Sequence, residues 1–393
     1  MTSSPTATNT QPLTGYTVVE LGGSASAPYA GFVLSELGAT VIKVEKPDGG
    51  DDSRTWGPPF AEGTALLFHG FNRNKRSVVV DFSDATEVAA LRRLILDQAD
   101  VVVQNLRPGL VERFGLDAAG FARDKPDLVY ANLSAYGATG PMKDGPGYDP
   151  ILQAFSGIMS VTGEQGRPPM RVGMSILDIT TGIWAALGVI AALLGKQRGA
   201  AGTTIDVSLF ETGLGFMLVP VAAVLAGAAA PGRYGSGHPQ IVPNRAFEAS
   251  DGWLLMTAGN DNLFRRFAEL VGKPEWITDP DYATNPARVA HQDTMYGLIE
   301  AMMKTRTVAE WIDGLAGVGI PCSPIHDTAQ VVAHPQTAAT GMVQQVEGSD
   351  LRVLGLPMRL DGERRALESP GPKLGADTAA LLGPILEKMK RSG

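Results

Sequence analysis

The chain has 393 residues, a formal net charge of −8 and one cysteine. Its length allows two or more domains, and 44% hydrophobic with 19% charged residues is typical of folded proteins. The negative charge argues against general nucleic-acid binding, which needs basic surfaces. With only Cys322, neither an internal disulfide nor a cysteine-based metal cage can form, and the five histidines show no ligand spacing. We therefore expect no metal site.

The segment Met1–Pro12 is rich in Ser, Thr and Asn and has neither a basic start nor an apolar core. It predicts a disordered tail and not a signal peptide, so a cytoplasmic location is expected. The uncharged stretch Thr212–Gly232 is long enough to span a bilayer, but it contains Pro220 and no aromatic belt. We interpret it as a buried interface helix and expect no membrane association.

The first half of the chain alternates short apolar runs with helical patterns. The runs predict strands at Tyr16–Leu21, Thr40–Glu45, Ser77–Phe82, Asp100–Asn105 and Asp127–Leu133. Helices are predicted at Tyr29–Leu37, Ala85–Leu96 and Leu110–Phe114. This alternation predicts a mostly parallel, doubly wound α/β sheet, which binds ligands at the carboxyl ends of its strands.

The turn after the first predicted strand, Gly22–Ala27, has the sequence Gly-Gly-Ser-Ala-Ser-Ala, and Glu45 ends the second strand. A dinucleotide-binding unit has this layout, but the G-x-G-x-x-G fingerprint is missing, so a nicotinamide cofactor is not expected. There is no Walker A loop either, and a reaction driven by ATP has no support in the sequence.

The second half of the chain has a different pattern. An apolar helix at Ile179–Leu194 and a strand at Thr203–Leu209 precede the Gly-rich break Pro231–Pro239. Beyond it, Ala246–Ala249 and Gly252–Thr257 predict an antiparallel hairpin. Further predicted elements are helices at Asp261–Val271, His291–Lys304 and Thr307–Ala316, a strand at Arg352–Arg359 and a helix at Asp377–Met389.

Asp178 is the only charged residue between Arg171 and Lys196. Two interpretations are open. It is an N-cap of the apolar helix, whose oxygens accept hydrogen bonds from the first backbone N–H groups, or it is a reactive carboxylate positioned by that geometry.

Several cations lie near the predicted strand ends, where arginine and lysine suit phosphate oxygens. They are Lys43 and Lys46 at the second strand, Arg73, Lys75 and Arg76 before the third, and Arg107 and Arg113 after the fourth. The alternative for each of them is solvated surface charge.

Two turns also carry candidate residues. Asp149, at the end of the turn Gly145–Asp149, is interpreted as an N-cap with Pro150 at the first helical position, and the helix is predicted to continue to Met159. Its neighbour Tyr148 either orients a carbonyl group or packs. The loop Gly235–Pro239 permits close approach to a ligand, with a plain linker as the alternative.

Together these segments resemble the class III CoA-transferase family, which includes formyl-CoA transferase, the carnitine CoA-transferases and α-methylacyl-CoA racemase. The resemblance extends from about Leu13 to the last helix. Its most specific segments are Leu37–Lys46, Phe71–Ser77, Asn105–Gly109, Gly147–Asp149 and Gly173–Gly182. Their order and spacing in one chain make the combination specific, although each segment alone is weak.

The resemblance implies a CoA-transferase with Asp178 as the catalytic aspartate and Tyr148 beside it. In the family, the aspartate attacks an acyl-CoA thioester to give an acyl-aspartyl anhydride, which becomes an aspartyl-CoA thioester and then passes CoA to an acceptor acid. Succinyl-CoA is a candidate donor and a small carboxylic acid the acceptor; CoA and acyl-CoA are substrates, and no tightly bound cofactor is implied. Poor solvation is expected to make Asp178 a better nucleophile, and helix N–H groups to keep it ionised.

The resemblance also implies a CoA site. The matching positions are Ala25, Ser26, Lys46, Val80, Asp81, Phe82, Asn105, Leu106, Arg107, Arg113, Gly147 and Tyr148, with phosphates on Lys46, Arg107 and Arg113. Gly235, Ser236, Gly237 and His238 match the loop that shields the anhydride from water. The segment Gly23–Ser26 lacks the His and Gln of formyl-CoA transferase, which argues against formate and oxalate as the natural pair.

For the fold, the resemblance implies an interlocked homodimer with a Rossmann-like large domain built from both chain ends and a smaller α+β domain. The predicted boundaries are a tail at 1–12, the large domain at 13–205, a linker at 206–239, the small domain at 240–322, and a linker with return to the large domain at 323–393. Thr212–Gly232 is then a linker buried between subunits.

Two alternative functions stay open. A 2-methylacyl-CoA racemase would use a histidine where this chain has Tyr148, and a phenol, which ordinarily titrates near pH ~10, is a poor base for an α-proton. The other alternative is a CoA-binding protein without catalysis.

Overall fold

A computed structural model describes residues 11–346 and 349–392 of the chain. Residues 1–10 of the predicted tail lie outside the described residues. The chain divides into two compact units. The large unit takes in the described residues up to Ile158, then Val172–Ala228, and the described residues from Gln336 onward. The small unit takes in Met159–Arg171 and Ala229–Pro335.

The strands and helices are numbered in chain order. The strands are β1 (Thr17–Leu21), β2 (Thr40–Glu45), β3 (Phe60–Ala61), β4 (Thr64–Ala65), β5 (Arg76–Val79), β6 (Val101–Gln104), β7 (Val129–Ser134), β8 (Thr204–Ser208), β9 (Asn244–Glu248), β10 (Trp253–Thr257), β11 (Cys322–Pro324), β12 (Val343–Gln345) and β13 (Arg352–Leu354). The helices are α1 (Ser26–Glu36), α2 (Leu66–Asn72), α3 (Ala85–Gln98), α4 (Leu110–Arg113), α5 (Ala118–Phe121), α6 (Asp149–Phe155), α7 (Ile158–Val161), α8 (Ile176–Gln197), α9 (Leu209–Phe216), α10 (Leu218–Leu225), α11 (Asp261–Leu270), α12 (Asn285–Ala290), α13 (Gln292–Met303), α14 (Val308–Gly317), α15 (Thr328–Ala333), α16 (Pro335–Thr340), α17 (Thr378–Leu381) and α18 (Gly383–Ser392). Short 3₁₀ helices lie at Asp52–Thr55 and Pro274–Ile277.

The large unit contains a six-stranded sheet in the order β5-β2-β1-β6-β7-β8, and every pairing is parallel. The predicted parallel α/β sheet is therefore confirmed. Its central strands are runs of β-branched residues such as Val101–Val103, as expected for strands covered on both faces. The order reverses between β1 and β6, so their carboxyl ends form the switch point of a doubly wound sheet.

Two hydrophobic clusters cover the sheet. One face packs against α3 and α18, and the other packs against α1 and α8. The chain end also bonds to the edge strand, because Asp377 accepts hydrogen bonds from Arg76 Nε at 2.8 Å and from Ser77 N at 3.0 Å. The sheet therefore joins segments from both ends of the chain.

The stretch Thr212–Gly232 is not one helix, which corrects the sequence-based expectation. The chain forms α9 and α10, and the helix is interrupted at Met217. This break places Pro220 in the first turn of α10, where its missing N–H costs little. Among the described residues, the one helix long and apolar enough to cross a membrane is instead α8, where Leu177, Ala185 and other residues are buried in the large unit.

The small unit is built on an antiparallel sheet of order β11-β10-β9, which contains the predicted hairpin. Phe264, Phe267 and Trp311 fill its core beneath the amphipathic helices α11 to α14. Arg288 is fully buried there, and its guanidinium donates to Val242 O and to other carbonyl groups around it. These contacts satisfy the charge that the core encloses.

Gly182→Ala should destabilise the large unit. A β-carbon at Gly182 would lie 2.7 Å from Ser26 O and 3.0 Å from Ala30 N, and these backbone atoms cannot rotate away. We expect a loss of about 1–3 kcal/mol in the free energy of unfolding, measured by urea denaturation. The matched control is Gly195→Ala on the same helix, where the nearest atom is 3.7 Å away and alanine should stabilise the helix by up to about 1 kcal/mol. Equal stability of the two variants would contradict this packing.

Candidate active site

The switch point of the sheet is organised by one amide side chain. The loop Gly22–Ala25 follows β1, and Asn105 follows β6. Asn105 Oδ1 accepts a hydrogen bond from Gly23 N at 3.1 Å, while its Nδ2 donates to Gly23 O at 2.9 Å and to Ser26 Oγ at 3.3 Å. A β-carbon at Gly22 would lie 2.0 Å from Asn105 Oδ1. The amide therefore fixes the loop in which Ala25 and Ser26 were predicted to meet CoA.

Buried charged side chains of the large unit also fix the loop Gly22–Ala25. Ser24 has a left-handed conformation with φ of 67°, and its N–H donates to Asp51 Oδ1 at 3.0 Å. Asp51 Oδ2 lies 2.8 Å from Lys43 Nζ, which also contacts Glu20 Oε1 at 2.9 Å. Glu20 Oε2 accepts from Lys75 Nζ at 2.7 Å. We call Glu20, Lys43, Asp51 and Lys75 the buried charge cluster. Lys43 forms its ion pairs inside the large unit and does not bind phosphate, which corrects its interpretation as a phosphate ligand.

The three cations at the start of β5 all have partners within the large unit, which corrects their interpretation as phosphate ligands. Lys75 is buried, and burial lowers its pKa to about 8. Arg73 is buried as well, and its Nε donates to Glu36 Oε1 at 3.2 Å. Arg76 pairs with Asp377 at the chain end. These three side chains are therefore engaged by acidic residues of the large unit.

Three other predicted phosphate ligands lie at the surface of the large unit. Lys46 is exposed, and its Nζ lies 2.6 Å from Asp52 Oδ1. Arg107 and Arg113 are both exposed, and the Arg113 guanidinium lies 5.4 Å from the centroid of the Phe114 ring. Neither arginine forms an ion pair with a residue in the described part of the chain. Both are therefore available to an anionic ligand.

A cleft of about 510 Å³ opens beside Arg113. It is lined by Phe82, Ser83, Ala85, Val88, Ala89, Arg92, Arg113 and Phe114. The rings of Phe82 and Phe114 lie 5.5 Å apart and form an apolar wall next to two guanidinium groups. Such a cleft suits a flat aromatic ring that carries phosphate.

The other predicted CoA contacts near the strand ends have different surroundings. Val80 is fully buried, so only its backbone can meet a ligand. Asp81 accepts hydrogen bonds from the N–H and hydroxyl of Ser83. Leu106 packs against the hydrophobic cluster on the sheet face covered by α3 and α18, and its N–H donates to Gln104 Oε1 at 2.9 Å.

Asp178 lies at the third position of α8, which corrects its interpretation as the N-cap. The N-cap is Ser175, and its side chain makes no capping hydrogen bond. The cap comes instead from Asp149, whose Oδ2 accepts from Leu177 N at 2.7 Å and from Asp178 N at 3.1 Å. A carboxylate 28 residues earlier in the chain therefore satisfies the first turn of α8.

The expectation that Asp149 caps its own helix is also wrong. Tyr148 occupies the N-cap of α6, while Asp149 is the first helical residue. Asp149 Oδ1 accepts from Gln153 Nε2 at 2.6 Å, and Gln153 Oε1 accepts from Val172 N at 2.8 Å. Sequence reasoning missed Gln153; the available signal was its i, i+4 spacing from Asp149 within an otherwise apolar helix.

The Asp178 carboxylate is partly buried and accepts no hydrogen bond from a residue that the structure describes. Burial, and then the negative charge of Asp149, raise its pKa from 3.8 to about 7. This corrects the expectation that N–H groups of the helix keep Asp178 ionised, because Asp149 already accepts from those groups. A carboxylate held in this way has the perturbed titration that is common at reactive sites.

Asp178 lies near the loop Gly22–Ala25 at the switch point of the sheet. It precedes Gly182 by one helical turn, so the two residues share a face of α8. Gly182 packs against the backbone at Ser26. The fold therefore brings Asp178 into the region of Ala25, Ser26 and Asn105, which follow two different strands.

The remaining predicted site residues are Tyr148, with its neighbour Gly147, and the loop Gly235–His238. Tyr148 is 66% exposed, and a β-carbon at Gly147 would lie 2.5 Å from Leu152 Cδ2, so the turn before α6 is tightly packed. The loop Gly235–His238 belongs to the small unit, where Ser236 Oγ accepts from Ala246 N at 3.0 Å and His238 Nδ1 accepts from Gln240 N at 3.1 Å. Its role as a shield stays a prediction.

Known proteins similar to this chain identify its class. The family model described as CoA-transferase family III matches residues 13–378. The chain is 36% identical over 383 residues to the acetyl-CoA:oxalate CoA-transferase of Acetobacter aceti, covering 97% of each. It is 32% identical over 381 residues to the succinyl-CoA:glutarate CoA-transferase of Homo sapiens, covering 96% of this chain and 87% of that protein. Among solved structures, a CAIB/BAIF family protein from Brucella suis has a TM-score of 0.86 and 37% identity, covering 95% of this chain and 99% of that one.

The chain therefore belongs to CoA-transferase family III. The family resemblance and the enzyme class predicted from the sequence are confirmed. Acyl-CoA and carboxylic acid substrates are consistent with this family, and the residues above can be considered as parts of its active site.

Asp178→Asn should raise stability at alkaline pH. Because the pKa of Asp178 rises from 3.8 to about 7 on folding, the folded state binds more protons than the unfolded state between these pH values. Stability from this group is therefore greatest in acid and falls as the pH rises towards 7. Asparagine cannot ionise, so the variant should have a higher thermal unfolding midpoint than the wild type at pH ~8, and the difference should shrink towards pH ~5.

The control for this measurement is Asp127→Asn, which removes a carboxylate that contacts Lys196 at the other end of α8. That variant should show no gain at alkaline pH. A gain for Asp178→Asn that is the same at both pH values would contradict the raised pKa.

Proposed function

We propose that this protein transfers CoA from an acyl-CoA to a dicarboxylic acid through covalent intermediates on Asp178. The observation that carries the proposal is the Asp178 carboxylate itself, partly buried and on the face of α8 that meets the start of α1. Two of the similar proteins have oxalate and glutarate in their names, and both are dicarboxylic acids. Succinyl-CoA, which one of those names contains, is the proposed donor.

The proposed reaction starts when an Asp178 oxygen attacks the thioester carbonyl. The C–S bond breaks, CoA leaves as a thiolate, and the acyl group stays on Asp178 as a mixed anhydride. The thiolate then attacks the Asp178 side-chain carbonyl, the donor acid leaves as a carboxylate, and an aspartyl-CoA thioester remains. The acceptor carboxylate attacks this thioester to form a second anhydride and free thiolate, which takes the acceptor acyl group and restores Asp178. Each exchange trades one acyl bond for another, so no external energy source is needed.

Surface features of the large unit support a CoA site. Arg107 and Arg113 have no ion pair with a described residue, and the cleft beside Phe82 and Phe114 suits the adenine ring. Lys46, already beside Asp52, is proposed as a further phosphate contact. Tyr148 is proposed to orient the thioester because it is exposed next to Asp149.

We also propose that the protein is a homodimer. No residue of α10 is buried within the described chain, and Leu218, Val219 and Leu225 are 71%, 75% and 83% exposed. A helix this apolar is stable in water only when another surface covers it. An interlocked second copy, as the family resemblance implies, is the proposed cover.

A 2-methylacyl-CoA racemase is a second candidate. The pKa of Asp178 near 7 favours it, because a group that titrates near neutrality can both take and return an α-proton. The position of Tyr148, where that branch has histidine, weighs against it.

Incubation with succinyl-CoA and no acceptor should add the mass of CoA less water to the wild-type protein, and hydroxylamine should then convert Asp178 to a hydroxamate. Asp178→Asn should form no adduct and lose transfer activity roughly a thousandfold or more, since the nucleophile is gone. Asp127→Asn should keep both properties. Full transfer by Asp178→Asn would contradict the proposal, and loss of α-deuterium from 2-methylacyl-CoA without an acceptor would favour the racemase.

A further inference from the structure

Asp149 is held more firmly than a simple helix cap requires. Its side chain is 2% exposed, and Gln153 is fully buried. One carboxylate oxygen accepts from the N–H groups of Leu177 and Asp178, and the other accepts from Gln153. Gln153 is oriented in turn by the N–H of Val172. The carboxylate therefore has one orientation, fixed by partners on both sides.

Asp149 is also the charged group that acts on Asp178. The elements packed against α8 are α1, α6, α9, β7 and β8. Their ionisable side chains, with that of α8 itself, are Tyr29, Glu36, Tyr130, Asp149, Asp206, Glu211 and Lys196, and Tyr148 caps α6. Glu36, Asp206 and Glu211 bind other partners, and only burial and Asp149 raise the pKa of Asp178.

We propose that Asp149 is a positioning residue that holds the first turn of α8 and, through its negative charge, favours the acylated forms of Asp178 over the free carboxylate. This inference rests on the proposed function of Asp178 as nucleophile. It assigns to Asp149 a part in the reaction, although its carboxylate does not itself form a bond to the substrate.

The charge balance of the proposed steps gives the reason. In the free enzyme, two carboxylates lie at the start of one helix. When Asp178 attacks the thioester, its negative charge passes to the CoA sulfur, and in the aspartyl-CoA thioester the charge has left with the donor acid. Asp178 is neutral in each covalent form, so its repulsion with Asp149 is relieved. Asp149 therefore lowers the energy of the intermediates relative to the starting state.

The test moves the charge while keeping the hydrogen bonds. In Asp149→Asn/Gln153→Glu, the introduced amide oxygen can accept from Leu177 and Asp178, and the introduced amide nitrogen can donate to the new carboxylate. The other oxygen of that carboxylate can accept from Val172. The negative charge then moves from position 149 to position 153, which makes no hydrogen bond to the first turn of α8, while the cap is preserved. The single variant Asp149→Asn and the control Asp127→Asn complete the set.

Two quantities are measured for each variant. The first is the ratio of aspartyl-CoA adduct to free enzyme, by mass spectrometry of acid-quenched protein with excess succinyl-CoA. The second is the midpoint of the pH dependence of kcat/KM for succinyl-CoA. For the double variant we expect the adduct ratio to fall roughly tenfold and the midpoint to fall by about one pH unit. Its kcat/KM relative to that of the wild type should therefore rise as the pH falls.

A merely structural role would lower activity at every pH and leave the midpoint in place. An unchanged midpoint and adduct ratio in the folded double variant would overturn the inference, even though wild-type protein forms the adduct. If wild-type protein forms no adduct at all, the proposed function fails first. Circular dichroism establishes that the variants fold. If the double variant does not fold, the adduct ratio and the pH midpoint of Asp149→Asn are compared with those of the wild type instead.

Discussion

Two hydrogen bonds to one oxygen of Asp149 determine the character of the site. Without them, the first N–H groups of α8 would be open to bind the Asp178 carboxylate or water, and the positive end of the helix would stabilise its charge. With them, the helix end is satisfied by a neighbour that is itself negative. The same contact therefore caps α8, ties it to the start of α6 and leaves the Asp178 carboxylate without a hydrogen bond from any described residue.

Buried ions play a comparable part on the other side of the switch point. Taking four charges out of water is expensive, and such clusters are weak evidence for stability as such. The buried charge cluster instead fixes a backbone: Asp51 holds Ser24 in a conformation that serine rarely adopts, and Lys43 donates to Gly22 O at 3.0 Å. In a glycine fingerprint, glycine residues would adopt this left-handed backbone conformation without steric cost. This chain reaches it through ion pairs with β1 and β2.

The sequence was sufficient to predict the sheet because its strands are valine-rich runs bounded by turns, and that signal is local. Asp178 was noticed because it is a lone charge in an apolar segment, but that pattern left a helix cap and a reactive carboxylate both open, and the family resemblance favoured the second. The role of Asp149 was missed because its hydrogen bonds join residues 28 and 29 positions apart, and the partners of Lys75 were missed because Glu20 lies 55 positions away. Local patterns predict that a carboxylate or a lysine is present, but pairing across a fold follows from topology. The cation-rich segment at the start of β5 therefore resembled a ligand site although its cations pair with acidic residues of the large unit.

The balance of charge at the switch point bears on where an acyl-CoA is bound. The buried charge cluster contains two carboxylates and two ammonium groups, so it holds the loop without attracting or repelling phosphates. The chain as a whole is negative, with a net charge of −8. In the proposed function, local cations attract the polyanionic substrate, and Arg107 and Arg113, which follow the carboxyl end of β6, have no acidic partner among the described residues. The fold thus separates two tasks in the proposed function: buried ions fix the backbone of the loop after β1, and the exposed Arg107 and Arg113 are proposed to attract the phosphates of the substrate.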